Sequence, residues 1–138
     1  MTRTWFLDTG FVIALVSPRD RHHAIAQQLS ETIEASDIRL VTSQAVILEI
    51  GAALSKAAFR KAAVQTIQAI QGDSIIDIVQ VENELLRRAF GLFKDRSDKE
   101  WSLADCVSFE IMRDRRITEA LSPDIHFTQA GYSALMRI

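Results

Sequence analysis

The sequence predicts an α/β fold: a three-layer α/β/α domain with a short, mostly parallel central sheet. Two observations carry this. Short apolar runs alternate with longer stretches of helical periodicity along the whole chain, the pattern of parallel strands joined by helical crossovers. Only Pro18, Pro123 and five glycines punctuate the 138 residues, without linker, repeat or low-complexity stretch, so residues 1–138 read as a single domain.

Taken in order, Thr4 to Asp8 is a short apolar run read as a buried strand, and Gly10 to Ser17 a short helix behind it. Pro18-Arg19-Asp20 marks a turn before an amphipathic helix from Arg21 to Ala35. Arg39 to Thr42 is a second strand. Ser43 to Ala58 reads as one helix, since Val46, Ile50, Ala53 and Ala57 recur at three- and four-residue steps. A further helix covers Phe59 to Ile70 and is stopped by Gly72. Ile75 to Val81 alternates weakly as a strand, Glu82 to Phe93 is helical, and Lys94 to Glu100 is a charged loop. Ser102 to Arg115 is apolar nearly all round, as a central buried helix is. Ile117 to Leu121 is a strand, Ile125 to Ala130 a helical turn, and Ser133 to Met136 a last strand.

Composition excludes several classes. With 48% hydrophobic and 25% charged residues, the chain can build a core without disulfide staples, burying roughly 70% of its unfolded surface. Lone Cys106 cannot form an intramolecular disulfide, which fits a reducing cytoplasm. No run of about 18 apolar residues is present, so no transmembrane helix is expected. The apolar stretch Phe11 to Val16 lacks the flanks of a signal peptide. The net charge of −2 is not that of a general nucleic-acid coat protein. Two basic groups, Arg87-Arg88 with Lys94, Arg96 and Lys99, and Arg113, Arg115 and Arg116, have two readings: a rim for a polyanion, or solvated helix ends.

The acids are the informative residues. Asp8, Glu49 and Asp105 each sit inside an otherwise apolar element, and Asp124 lies just beyond the strand at Ile117 to Leu121. A carboxylate in such surroundings costs several kcal/mol unless a cation or hydrogen bonds compensate. Acids converging from separate elements suit a hard divalent cation, and ligands of parallel sheets bind beyond the carboxyl ends of strands. Each acid has a duller alternative. Asp8 and Asp124 can cap the helices that follow them, Asp105 completes a capping box with Ser102, and Glu49 can reach solvent or pair with Lys56. Asp98 is a solvated loop charge. His22 and His23 have no acid at metal spacing, His126 beside Phe127 reads as packed, and Cys106 reads as core. Carboxylates about 4 Å apart repel by roughly 4 kcal/mol at an effective dielectric of 20. At least one should therefore have a raised pKa without metal, and Asp105→Asn should then stabilise the metal-free protein.

Over nearly its whole length the sequence resembles the PIN-domain ribonucleases, including VapC-type toxins of bacterial toxin–antitoxin pairs. The resemblance is strongest from Asp98-Lys99-Glu100-Trp101-Ser102-Leu103-Ala104-Asp105-Cys106, through Ile117 to Leu121, to Asp124-Ile125-His126-Phe127-Thr128-Gln129-Ala130-Gly131. It implies that Asp8, Glu49, Asp105 and Asp124 are the acidic quartet holding Mg²⁺ or Mn²⁺, with Thr9 and Ser122 as neighbouring hydroxyls. Asp8 and Asp105 would be the primary ligands. Pro123 stands where the family more often has a small residue, and Asp98 is an additional acid.

The implied activity is metal-dependent hydrolysis of RNA phosphodiester bonds with no protein nucleophile. Single-stranded or structured RNA is the implied substrate. Arg96, Lys99 and Arg116 are candidates for backbone contacts, and Trp101 or Phe127 either stack a base or belong to the core. A cognate antitoxin, and a homodimer through the helices around Ile25, Leu29 and Leu54, are implied partners. The main rival is a non-catalytic PIN-like module that binds RNA or protein, against which the retained acids argue. A haloacid-dehalogenase-type phosphotransferase needs a second Asp two residues after the first, where this chain has Gly10.

Overall fold

The computed structural model describes residues 3–137. Strand β1 (Arg3–Leu7) leads into α1 (Thr9–Val16) and α2 (His23–Ala35), then β2 (Ile38–Ser43), α3 (Gln44–Ala53), α4 (Ala57–Gly72) and β3 (Ile76–Val79). The second half contains α5 (Asn83–Asp95), α6 (Leu103–Arg115), β4 (Glu119–Leu121), α7 (Ile125–Gln129) and β5 (Ser133–Ala134). The five strands form one sheet in the order β3-β2-β1-β4-β5, and every pairing is parallel. The predicted α/β class therefore holds, and "mostly parallel" becomes wholly parallel among the described residues.

A parallel sheet is covered on both faces, so its inner strands read as continuous apolar runs. Trp5-Phe6-Leu7 in β1 and Leu40-Val41 in β2 are buried for this reason. The chain winds from β1 outward to β3, then crosses to β4 on the other side of β1. That reversal leaves a crevice beyond the carboxyl ends of β1 and β4, where ligands of open α/β sheets bind. Helix α6 is the central helix, with Cys106 to Met112 buried without interruption. An aromatic cluster ties it to the neighbouring elements: Phe109 packs edge-on to Phe127 at 5.2 Å and to Trp101 at 5.0 Å, and Phe127 approaches Phe6 at 6.3 Å.

Two expectations are corrected. The helix read as ending at Ala58 ends at Ala53, and the next begins at Ala57. Leu54 turns into the core, and the Ser55 carbonyl accepts two hydrogen bonds from the Arg60 guanidinium at 2.7 and 3.2 Å. Because neither Gly nor Pro marks the break, the apolar repeat ran through it. Strand β4 starts at Glu119 rather than Ile117: Arg116 takes a left-handed conformation (φ 55°), and the Ile117 N–H turns back to the Met112 carbonyl. Of the residues named for a dimer face, Leu54 is buried, and Ile25 and Leu29 are partly buried and packed against the core.

Candidate metal centre

Asp8 follows β1 directly and occupies the cap position of α1, but its carboxylate makes no capping bond to that helix. Instead Asp8 Oδ2 accepts a hydrogen bond from Ser122 Oγ at 2.8 Å, across the β1–β4 boundary. Ser122 is fully buried, and its oxygen also accepts the Asp124 N–H at 3.0 Å, so one hydroxyl joins two of the acids. Burial pushes the Asp8 carboxyl up to about 7, against the pull of the Ser122 hydroxyl and the Thr9 amide. The charges of Glu49 and Asp105 raise it further. Desolvation thus outweighs the mutual repulsion expected from the sequence.

Glu49 sits in the middle of α3, beside fully buried Ile50. Its Oε1 accepts from Thr9 Oγ1 at 2.9 Å, so it faces the start of α1 and not Lys56. Its carboxyl is raised chiefly by burial and then by the charges of Asp105 and Asp124, with the Thr9 hydrogen bond opposing. Asp105 completes its capping box and also lines the cleft beyond β1 and β4. The capping box is complete, with Ser102 Oγ accepting the Asp105 N–H and Asp105 Oδ2 accepting the Ser102 N–H, each at 3.0 Å. The same Oδ2 lies 2.9 Å from His126 Nδ1. Asp124 caps α7 through the His126 N–H at 2.9 Å, and its Oδ1 is 3.4 Å from His126 Nδ1.

The acids Asp8, Glu49, Asp105 and Asp124 line one cleft of about 720 Å³ at the crevice beyond β1 and β4. Thr9, Ser122 and Pro123 share the wall, and Pro123 rests on Gly10 so closely that a Cβ on Gly10 would meet its Cδ at 2.7 Å. The acids come from four separate segments, so no local window of sequence contains the site.

Reasoning from the sequence missed the cations of this cleft. Arg21, His22 and Arg137 line it. Arg21 has no ion pair among the described residues, and Arg137 donates only to the Pro123 carbonyl, at 3.3 Å. Most of the basic residues singled out earlier are engaged elsewhere. Arg96 pairs with Asp98 and lies 5.0 Å over the Trp101 ring, while Lys99 also reaches Asp98 at 3.8 Å. Asp98 is therefore an exposed ion-pair partner in the α5–α6 connection and does not line the cleft. Arg88 joins Glu110 and Asp114, Arg115 pairs with Asp77, and Arg116 caps the end of α6 remote from Asp105. Trp101 and Phe127 are core residues, 6% and 0% exposed, and cannot stack a base. His126, read as packed, is about a quarter exposed and touches two of the acids; its position two residues after Asp124 was the available signal.

The donor chemistry suits a divalent cation: carboxylates from four segments line the cleft, and an imidazole meets two of them. One ligand atom each from Asp105, Asp124 and His126 lie within 4.8 Å of one another.

A wholly parallel five-stranded sheet with acids gathered at its switch point places the chain in a defined class. The family model described as PIN domain matches residues 5–131, and the chain belongs to the PIN domain family. Among characterised relatives, it is 28% identical over 127 residues to the 23S rRNA-specific endonuclease VapC20 of Mycobacterium tuberculosis, covering 92% of this chain and 94% of that protein. The crystal structure of that VapC20, described as a Sarcin-Ricin loop cleaving toxin, superposes with a TM-score of 0.82 at 28% identity, covering 92% of this chain and 95% of the other. VapBC-1 from nontypeable Haemophilus influenzae shares the fold, with a TM-score of 0.65 at 12% identity, over 97% and 99% of the two chains.

Proposed function

We propose that this protein is a divalent-metal-dependent endoribonuclease acting as the toxin of a toxin–antitoxin pair, with Asp8, Glu49, Asp105 and Asp124 as its catalytic, metal-holding residues. The observation that carries the reading is the meeting of these acids in one cleft of a PIN-family chain similar to a named 23S rRNA endonuclease.

In this reading Asp8 and Asp105 are the primary ligands of Mg²⁺ or Mn²⁺, and Glu49 and Asp124 complete the shell. When bound, the cation supplies an activated water and offsets charge on the phosphate oxygens. The chain's own residues hold that arrangement. Ser122 fixes Asp8 and the Asp124 backbone together, Thr9 orients Glu49, and the Ser102 box fixes Asp105. Arg21 and Arg137 bind the phosphates flanking the reacting one, because they are the cleft's guanidiniums not committed to a carboxylate. Cys106 is not a nucleophile in this reading: its thiol is fully buried and pushed up to about 11, so it stays protonated.

The substrate class is RNA presented as a single strand or loop, and ribosomal RNA is the first to test given the named target of the relative. An antitoxin and a second copy of the chain are the expected protein partners. Exposed apolar side chains such as Leu48, Phe59 and Phe90 support this, since partners of that kind would cover them. No described helix is long and apolar enough to cross a membrane, and we place the activity in the cytoplasm.

The deciding experiment incubates a mixed single-stranded RNA pool and a ribosomal RNA fragment with Mn²⁺ or Mg²⁺ and wild type, Asp8→Asn or Asp105→Asn protein. Metal-dependent cleavage by wild type, reduced at least about a hundredfold in both variants, is expected. Equal cleavage by all three would identify a contaminant and overturn the assignment of the acids.

A further inference from the structure

His126 is not one of the residues lining the cleft, yet its ring meets two of the acids that do. His126 Nδ1 stands 2.9 Å from Asp105 Oδ2 and 3.4 Å from Asp124 Oδ1. Adjacent ligand atoms around an octahedral ion with bonds of about 2.1 Å are separated by about 3.0 Å. The imidazole nitrogen therefore stands from each carboxylate oxygen at about the spacing of neighbouring ligand positions, and one ligand atom from each of the three residues lies within 4.8 Å of the others.

The backbone makes this placement a property of the chain. His126 lies in the first turn of α7, whose cap is Asp124 itself, so ring and carboxylate leave the same turn. Phe127, the next residue, is fully buried against Phe109 and Phe6, which locks the helix in rotation. Phe109 lies one turn along α6 from Asp105, so the same aromatic contact sets the distance between the two acids and the ring.

We propose that His126 is a direct nitrogen ligand of the cation held by Asp105 and Asp124, and that it biases the site towards Mn²⁺ over Mg²⁺. The inference rests on the metal-site reading above and adds a donor to it. Imidazole nitrogen is a good ligand for later divalent metals and a poor one for Mg²⁺, which keeps to oxygen and water. His126 Nδ1 lies within hydrogen-bond distance of Asp105 Oδ2. As a ligand, the ring would carry its hydrogen on Nε2 and offer the Nδ1 lone pair.

Pulsed electron paramagnetic resonance of bound Mn²⁺ tests this directly, because a ligating nitrogen modulates the echo. His22 lines the same cleft and serves as the control. Wild type should show nitrogen modulation that changes when histidine is labelled with ¹⁵N, a readout independent of any variant. His126→Asn should lose it, and His22→Gln should keep it. Calorimetry should show Mn²⁺ affinity falling about tenfold in His126→Asn, with Mg²⁺ affinity falling less. Mn²⁺ bound without nitrogen modulation in wild type, or modulation surviving in His126→Asn, would overturn the role of His126 while leaving the metal site standing. No Mn²⁺ binding to wild type would overturn both.

Discussion

At the scale of single residues, the cleft trades stability for charge. Asp8 lines the cleft, and its side-chain hydrogen-bond partner among the described residues is the Ser122 hydroxyl; burial holds its carboxyl near pH 7, far above its ordinary value. Because the folded value is raised, the associated stability is complete below the unfolded value of about 3.9 and is lost as pH rises through about 7. Glu49 is raised in the same direction and adds to the loss. Urea melts in chelator should therefore show metal-free protein losing on the order of 3 kcal/mol between pH 4 and 8. Asp8→Asn should flatten that dependence and be the more stable protein at neutral pH. An unchanged pH profile in Asp8→Asn would contradict the burial argument. Asp105→Asn, which repulsion alone singles out, is the worse choice: it weakens both the box bond to the Ser102 N–H and the contact with His126.

At the scale of elements, the site depends on how closely the start of α1 meets the β4–α7 connection. Gly10 has no Cβ, and Pro123 fills the space one would take, at 2.7 Å from its Cδ. Pro123, a departure from the family's commoner small residue, is thus matched by Gly10 on the facing element. Gly10→Ala should push apart the segments carrying Asp8 and Asp124 and cost about 1–3 kcal/mol by overpacking, with RNA cleavage falling further than stability accounts for. Pro123→Ala in the Gly10→Ala background should recover much of both, and a double-mutant cycle on melting and cleavage measures the coupling. Additive effects would show that the contact does not set the site. Helix α6 illustrates how one short motif serves two ends. Its Ser102–Asp105 capping box satisfies the helix terminus and, with the same carboxylate, points an acid at the cleft.

Across the whole molecule, the net charge of −2 conceals a division of labour. Most basic side chains singled out by the sequence are held by carboxylates on the outer helices, as Arg88 is by Glu110 and Asp114, whereas Arg21 and Arg137 share the cleft with the acids. Counterion release makes RNA affinity fall with salt by a slope of about 0.7 per phosphate contacted on a single strand. Arg21→Gln and Arg137→Gln should each lower that slope by about 0.7, measured by fluorescence anisotropy in Ca²⁺ with strand integrity checked on gels. Arg116→Gln, at the far end of α6, should leave it unchanged. Equal effects of all three variants would mean that the rim binds diffusely and that the cleft arginines hold no defined phosphates.

The sequence by itself determined the α/β class, most element boundaries and the identity of the acids, because apolar periodicity and a carboxylate in apolar surroundings are both local facts. It could not place the end of α3, where Leu54 and the Arg60–Ser55 contact make a break without Gly or Pro. The tertiary structure alone decided what surrounds the acids. Ser122 joins Asp8 to Asp124, Thr9 reaches Glu49 across 40 positions, and His126 meets Asp105 across 21. It also separated the cations of the cleft from those of the surface, since Arg137 and Arg21 are far apart in the chain and meet at the acids through the parallel sheet's switch point. The physical reason is that a residue's chemistry is written in its own side chain, whereas its pKa, its partners and its access to substrate depend on segments that approach it only when the sheet closes.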